Sequence, residues 1–442
     1  MTSAVAQAPR PNQATTQPGT APAQGAVANR PPGTPASRPV KKSRSTPQLL
    51  RLWTVATAAI CLVFALATML SMVNSSGAIN RAGSDTEQLI RMQTIRANLL
   101  HADALATNAF LVGGLEPSEQ RADYDATMSA TSMLITEAAA AQPADAAALG
   151  VLNEAVTAYA ADMEQARANN RQGYPVGAAY LAEASRQLRA TALPTLDNLV
   201  AANQQRADNQ LSSLGNGWFE VFGIAAGVLL IASFVWTARR FRRVVNVGLL
   251  VASVIVVVTW LVGTSVLASN RGAAEELRSN ELNVVNAMGE ARAAANEAKV
   301  QESLRLISHG SGGAAEQAWQ QQSERVSQQL SVLSATDQRA LEREWQNYVS
   351  AHEEIVELDE SGEWEAAVEL ATGDGEESSN ASFKSFDDAL AVVISDKGGA
   401  AVASLNTMAT APMVLTWILV PALMVAAIAA VVGLRARLRE YL

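Results

Sequence analysis

Hydrophobic residues are concentrated in four stretches that carry no charged side chain, at 52–73, 221–238, 244–268 and 412–434. A helix that crosses the hydrocarbon core of a bilayer needs about 20 apolar residues, within a range of roughly 17 to 25. All four stretches meet this requirement. The pattern therefore predicts four transmembrane helices, at 49–73, 218–238, 244–268 and 412–434.

The segment between the first two spans, residues 74–217, has the pattern of amphipathic helices. Ala, Leu, Gln, Glu and Arg dominate it, and no alternating strand pattern occurs. Ile95, Leu99, Ala102 and Ala106 recur at intervals of three and four residues, as on a helix that faces a bundle core. Gly and Pro mark the breaks. We predict four helices that form an up-down bundle, at about 75–112, 117–141, 144–171 and 175–215.

The segment between the last two spans, residues 269–411, repeats the first. Residues 159–181 align with 348–370 without a gap, and Arg96 aligns with Arg292 in an earlier block. The aligned glycines fall at helix breaks in both copies, and each copy has a span on either side. The repeat predicts a second four-helix bundle, with helices at about 271–308, 313–335, 337–360 and 363–408.

Charge is distributed so that each part of the chain can be assigned to one side of the membrane. Lys and Arg accumulate on the cytoplasmic flanks of spans because they resist translocation. Basic residues without an acid precede the first span and fill the turn at 239–243, and three Arg follow the last span. By contrast, residues 74–217 contain 9 Arg and 15 acids, a net of −6, and residues 269–411 contain 10 basic and 25 acidic residues, a net of −15. We expect both bundles to face outward.

These patterns predict the fold class and the location. The chain is expected to be an all-α integral protein of the plasma membrane, with four transmembrane helices, two tandem extracytoplasmic up-down four-helix bundles and both termini in the cytoplasm. Residues 1–48 are rich in Ala and Pro and lack aromatic residues, so they are predicted to form a disordered basic tail. Residues 239–243 and 435–442 are predicted to be a cytoplasmic turn and tail. The acidic outer surface excludes nucleic acid as a partner of the bundles.

No motif for catalysis or for a cofactor occurs in the sequence. His101, His309 and His352 are scattered, and the single cysteine, Cys61, lies within the first span. The acidic run at 373–380 interrupts the last helix, and it lacks the ligand spacing of a calcium loop. We expect no catalytic residue, no metal site and no cofactor, and hence a protein that is not an enzyme.

The layout as a whole resembles the actinobacterial GlnX family. The resemblance rests on the basic Pro- and Ala-rich tail, the two tandem bundles, the four spans, the lack of a cytoplasmic domain, and stretches such as residues 93–98, QTIRAN. The bundles also resemble the four-helix-bundle sensor domains of bacterial chemoreceptors. The GlnX resemblance implies a receptor that acts between an external solute-binding lipoprotein for amino acids and a cytoplasmic serine/threonine kinase, protein kinase G, in the control of glutamate metabolism.

Two sets of arginines are candidate binding residues. Arg96 and Arg292 could hold the carboxylate of a ligand, because a guanidinium binds a carboxylate through two parallel hydrogen bonds; the alternative is that they are surface arginines of amphipathic helices. The cytoplasmic docking candidates are Arg239, Arg240, Arg242 and Arg243. The expected partners are the lipoprotein, the kinase and the lipid bilayer, with a homo-oligomer as an open alternative. A direct small-molecule sensor and a membrane scaffold that does not switch are the alternative functions.

Overall fold

The computed structural model describes residues 46–112, 116–172, 176–214, 217–241, 246–308, 310–373 and 375–439. Helices account for 94% of these residues, and no strand occurs among them. Four of the helices contain segments long and apolar enough to cross a membrane. The predicted all-α membrane fold is confirmed. The predicted tail at 1–48 lies outside the described residues except for its last three, and so do residues 440–442.

The first bundle contains four helical arms, as predicted. They are the part of α1 (Thr46–Val112) that follows the first span, α2 (Ser118–Ala141), α3 (Ala146–Arg171), and a last arm made of α4 (Val176–Gln187) and α5 (Leu193–Ser212). A π-helical turn at Leu188–Ala192 joins α4 to α5. The predicted stripe of α1 is buried in the core, where Ile95 and Leu99 pack with Tyr159 of α3.

The second bundle is divided into more helical segments than the first. Its elements are α7 (Val247–Leu277), α8 (Asn283–Ile307), α9 (Gly313–Leu330), α10 (Ala335–Ser361), α11 (Trp364–Thr372) and α12 (Ser379–Arg439). A π-helical turn at Arg278–Leu282 joins α7 to α8. Its core contains Trp319 and Trp345 beside Tyr348, the residue that aligns with Tyr159, whereas the described core of the first bundle contains no tryptophan.

One helix end in the second bundle differs from the prediction for a clear physical reason. The helix predicted to reach residue 335 ends at Leu330, because Ser334 caps the next helix and its Oγ accepts a hydrogen bond from the backbone N–H of Asp337. The last helix, predicted at 363–408 with an interruption at the acidic run, is divided there into α11 and α12, as predicted. Gly362 ends α10 with a φ of +85°, a left-handed conformation that glycine adopts readily.

The membrane layer is a bundle of α1, α6 (Gly217–Phe241), α7 and α12. At the end away from the helical bundles, α7 and α12 approach each other backbone to backbone. A Cβ on Gly248 would lie 2.4 Å from the carbonyl oxygen of Ala429, and Asn246 Nδ2 donates a hydrogen bond to the carbonyl oxygen of Gly433. Small residues allow membrane helices to approach this closely.

Three helical rods connect the bundles to the membrane layer without a break. They are α1, α12, and α7 with α8 joined through their π-helical turn. The fourth connection is different, since α5 ends at Ser212 and α6 begins at Gly217. Arg271 of α7 donates a hydrogen bond to the carbonyl oxygen of Leu214 beside this break (2.7 Å). Three of the four connections between the bundles and the membrane layer are therefore continuous helices.

Candidate functional site between the bundles

The two bundles pack against each other where α1 lies beside α8. Gly289 of α8 faces Gln93 of α1, and a Cβ at position 289 would lie 2.8 Å from Cδ of Gln93. The distance between packed helices depends on the side chains at their contact. A residue larger than glycine at position 289 would push Gln93 aside, so the sequence permits close packing here.

Polar pairs join the bundles along this contact, which we call the inter-bundle seam. The pairs are Arg278 with Asp208 (2.9 Å), Gln93 with Asn286 (2.9 Å), Arg96 with Glu290, Arg189 with Glu297 (2.8 Å), His101 with Asn296 (3.3 Å), and Asn108 with the carbonyl oxygen of Ala371 (3.2 Å). Apolar clusters close the two ends of the seam. One, next to the spans, includes Ile79, Leu211, Leu277 and Leu405, and the other includes Leu111, Leu306 and Ile355.

Arg189 forms the central contact of the seam. It lies in the π-helical turn of the first bundle, and its Nη1 is 2.9 Å from Oδ2 of Asp103. Its Nε and Nη2 donate to the two carboxylate oxygens of Glu297 in the second bundle (3.1 and 2.8 Å). Burial would lower the pKa of Arg189, but Asp103 and Glu297 outweigh it and raise that pKa. One guanidinium thus pairs with an acid of each bundle.

Asp103 depends on this arginine. Its side chain is fully buried, and Oδ1 accepts hydrogen bonds from the hydroxyls of Tyr159 (3.2 Å) and Ser185 (2.6 Å). A buried carboxylate is tolerated only when it is both paired and hydrogen-bonded. The sequence analysis does not select Asp103 or Arg189. The available signal was Asp103 itself, a charged residue that directly follows Ala102 of the apolar stripe of α1.

The two predicted ligand-binding arginines make the same kind of contact in the two copies. Arg96 Nε is 3.3 Å from Oδ1 of Asp197, on the last arm of the first bundle. Arg292 donates two parallel hydrogen bonds to Asp387 on α12, the last arm of the second bundle (2.8 and 2.7 Å). Both guanidinium groups therefore bind carboxylates of the protein itself, and their binding of a ligand stays a prediction.

A cavity of about 420 Å³ lies on the seam next to Arg96. Arg189, Glu290 and Glu297 line it from the seam, and Arg325 of α9 lines the opposite wall. Arg325 is exposed and pairs with no carboxylate among the residues that the structure describes. The cavity therefore combines bound arginines with one whose charge is not compensated.

A second buried polar cluster lies within the second bundle around His352. The imidazole Nδ1 is 3.1 Å from Oε2 of Glu302, Nε2 is 3.2 Å from Oε2 of Glu316, and the ring stacks on Trp319 at 3.8 Å. Burial would raise the pKa of Glu302, but Lys299, at 2.6 Å, and His352 lower it to about 2. Burial would lower the pKa of His352, but the hydrogen bonds to Glu302 and Glu316 outweigh it and raise that pKa.

The sequence analysis does not find this cluster either, because the three histidines are far apart along the chain. The available signal was Lys299 and Glu302 three residues apart in an Ala-rich helix, a spacing that brings two side chains together. Among the described residues, no three His, Cys, Asp or Glu side chains converge as metal ligands. His309 lies outside the described part of the chain.

The predicted docking turn is described only in part. Arg239 is exposed in the last turn of α6, and Arg240 belongs to the same helix. Arg242 and Arg243 lie outside the described residues. Their role in docking stays a prediction.

Comparison with known proteins identifies one of the two bundles. Residues 78–212 match the family model of the actinobacterial sensor domain. The match begins in α1 and ends with α5, so it covers the first bundle. A sensor domain joined to membrane helices supports a sensing or signalling role and fits a receptor that is not an enzyme. No curated protein and no solved structure matches the chain.

The substitution Arg189→Gln should destabilise the protein by roughly 3 kcal/mol or more, because it leaves Asp103 buried without its cation. Arg186→Gln is the matched control, since Arg186 is exposed and its carboxylate partner among the described residues, Glu183, lies on the same turn of α4; this variant should keep an unfolding midpoint close to that of the parent. Chemical unfolding of the full chain in detergent, followed by tryptophan fluorescence, measures both. Equal unfolding midpoints for the two variants would contradict the assigned role of Arg189.

The second bundle should lose stability as the pH rises above neutrality. The folded-state pKa of His352 is raised above the 6.5 of an unperturbed histidine, so its stabilising contribution is complete below pH 6.5 and is lost as the pH passes through the raised value. The midpoint of thermal unfolding should therefore fall as the pH is raised above about 6.5. His352→Gln should abolish that fall. His101→Gln should leave it in place, because burial lowers the pKa of His101 and moves its titration below this window.

Proposed function

We propose that the protein is a transmembrane signalling receptor that relays an external amino-acid signal to a cytoplasmic serine/threonine kinase controlling glutamate metabolism. The signal arrives with a solute-binding lipoprotein that docks on the outer bundles. The match of the first bundle to a sensor domain supports the sensing part of this proposal. The kinase and the lipoprotein follow from the resemblance to the GlnX family.

The observation that carries the proposal is the continuity of the helical rods. Three of them pass from the bundles through the membrane layer, and the seam joins the rods of one bundle to those of the other. A partner shifts a conformational equilibrium only as far as it binds one conformation better than another. A partner that binds one arrangement of the seam better would therefore also select one arrangement of the membrane helices.

Charge supports the assignment of the two surfaces. The second bundle carries a net of −15 against −6 for the first, which favours docking of basic patches of an external protein mainly on the second bundle. On the opposite side, the arginines at 239–243 offer a basic surface to the kinase. Rim charges of this kind govern association rate and specificity more than affinity.

The direct small-molecule sensor is a second candidate, and the cavity next to Arg96 favours it. Arg325 supplies a guanidinium whose charge is not paired, and Arg96 and Arg189 lie in the same cavity. An amino-acid carboxylate bound there would contact both bundles. Titration of the purified full chain with amino acids in the absence of any lipoprotein separates this candidate from the relay.

A disulfide between α1 and α12 tests the relay. A Cβ on Gly83 would lie 3.9 Å from Cβ of Leu405, within the range of 3.5 to 4.5 Å that a disulfide requires. In a Cys61→Ala background, the pair Gly83→Cys and Leu405→Cys should form a cross-link on oxidation that fixes one arrangement of the seam. The kinase-dependent change in phosphopeptides between amino-acid-fed and starved cells should then disappear, and it should return on reduction.

The single variants Gly83→Cys and Leu405→Cys, each in the same background, are the controls and should respond normally. A normal response from fully oxidised, cross-linked protein would remove relative motion of α1 and α12 from the mechanism. The static membrane scaffold would then be the better description.

A further inference from the structure

A second cavity on the seam, of about 290 Å³, lies between the first two helices of the first bundle and the start of α12. Leu105 of α1, Pro117 before α2 and Phe383 of α12 are among its walls. In the liquid, one water molecule takes up about 30 Å³. The cavity therefore has the volume of roughly ten water molecules, and hence of a molecule with roughly ten non-hydrogen atoms. It is large enough for a small organic molecule and far larger than a bare metal ion.

One buried hydrogen-bond acceptor in this cavity has no partner. Gln120 is 92% buried, and its Oε1 makes no hydrogen bond. The orientation of its amide follows from its neighbours. Asn108 Nδ2 donates to the carbonyl oxygen of Ala371, so Asn108 Oδ1 is the atom that faces Gln120 and accepts from its Nε2 (3.2 Å). The side-chain carbonyl oxygen of Gln120, Oε1, is therefore the atom without a partner. Only a hydrogen-bond donor can satisfy it.

His101, which also lines the cavity, offers a second acceptor. Asn296 Nδ2 donates to the carbonyl oxygen of Arg292 (2.9 Å), so Asn296 Oδ1 faces His101 and accepts from Nδ1 (3.3 Å). Burial lowers the pKa of His101, which keeps the ring neutral. With the proton on Nδ1, the Nε2 atom carries a lone pair.

The charges around the cavity do not balance. Lys299 pairs with Glu302, Asp387 pairs with Arg292, and Lys384 pairs with Asp388. The remaining charged residues of the lining are Glu119 and Asp123 of α2, which are exposed and pair with no cation among the described residues. The cavity thus presents unpaired acceptors and two carboxylates to whatever occupies it.

We propose that this cavity binds a small organic ammonium compound, which donates an N–H to Gln120 Oε1 while Glu119 and Asp123 balance its charge. The apolar part of the molecule lies against Leu105 and Phe383. The proposal goes beyond the relay function, because it requires neither a lipoprotein nor a kinase. Since the walls come from both bundles, an occupant would bind the assembled seam better than a separated one and would stabilise it.

The test is a titration of the full chain in phosphatidylcholine nanodiscs with n-butylammonium, followed by saturation-transfer NMR with empty nanodiscs as the blank. Saturable binding is expected with a dissociation constant on the order of 1 mM, the range for a ligand of five non-hydrogen atoms. The neutral 1-butanol and the anionic pentanoate have the same butyl chain and should bind at least tenfold more weakly, since a hydrogen bond involving a charged group is worth roughly that factor or more. Absence of saturable butylammonium binding, or equal binding of butanol, would overturn the proposal.

Substitutions locate the site. Gln120→Met removes the unpaired acceptor and should weaken butylammonium binding about tenfold, whereas Gln165→Met, at an exposed glutamine of α3 away from the cavity, should leave binding unchanged. Circular dichroism checks that each variant remains helical. If Gln120→Met does not fold, the exposed pair Glu119→Gln and Asp123→Asn carries the test, and it should weaken binding several-fold at low salt. Full affinity in a folded Gln120→Met variant, or in the double charge variant, would contradict the assignment.

Discussion

The arrangement of the bundles depends on how charged groups are neutralised inside a helical protein. Asp103 is fully buried in the first bundle, and it pairs with Arg189, which also donates hydrogen bonds to Glu297 of the second bundle and to the carbonyl oxygen of Ser185. A buried ion pair contributes little net stability, but loss of one partner is costly because a charge is then left buried alone. Arg189 of the first bundle therefore forms ion pairs with acids of both bundles. The seam is where the charged groups of the two bundles interact.

The rods turn this local dependence into a property of the whole molecule. Helix α1 carries Asp103 and continues through the membrane layer, and α8 carries Glu297 on the rod that includes α7. Within the membrane, Gly248 and Gly433 bring α7 and α12 into backbone contact. Packed helices of this kind shift as units rather than deform continuously. A change of the seam has a direct structural route to the far ends of the spans.

Much of this architecture could be predicted from periodicity and composition. The four spans, the helical arms and the break between α11 and α12 follow from local patterns, and the Ser334 cap could have been found as a Ser three residues before an Asp. The seam could not be predicted in the same way. Its pairs join residues from 70 to 263 positions apart, and one sequence does not state which arginine meets which acid. Arg96 and Arg292 were selected as ligand-binding by residue type, whereas the carboxylates that they contact depend on tertiary packing.

In the proposed receptor, the state of the seam sets the spacing of the helix ends on the other side of the membrane. Double electron–electron resonance measures that spacing between spin labels at Arg239→Cys and Arg435→Cys. The protein carries Cys61→Ala and is reconstituted in nanodiscs. Glu290→Arg places a like charge opposite Arg96 in the seam, whereas Glu183→Arg places one opposite Arg186 on the surface of the first bundle. If the seam controls the spacing, the distance distribution should shift in the Glu290→Arg variant and should remain that of the parent in the Glu183→Arg variant. The same distribution in all three proteins would contradict it.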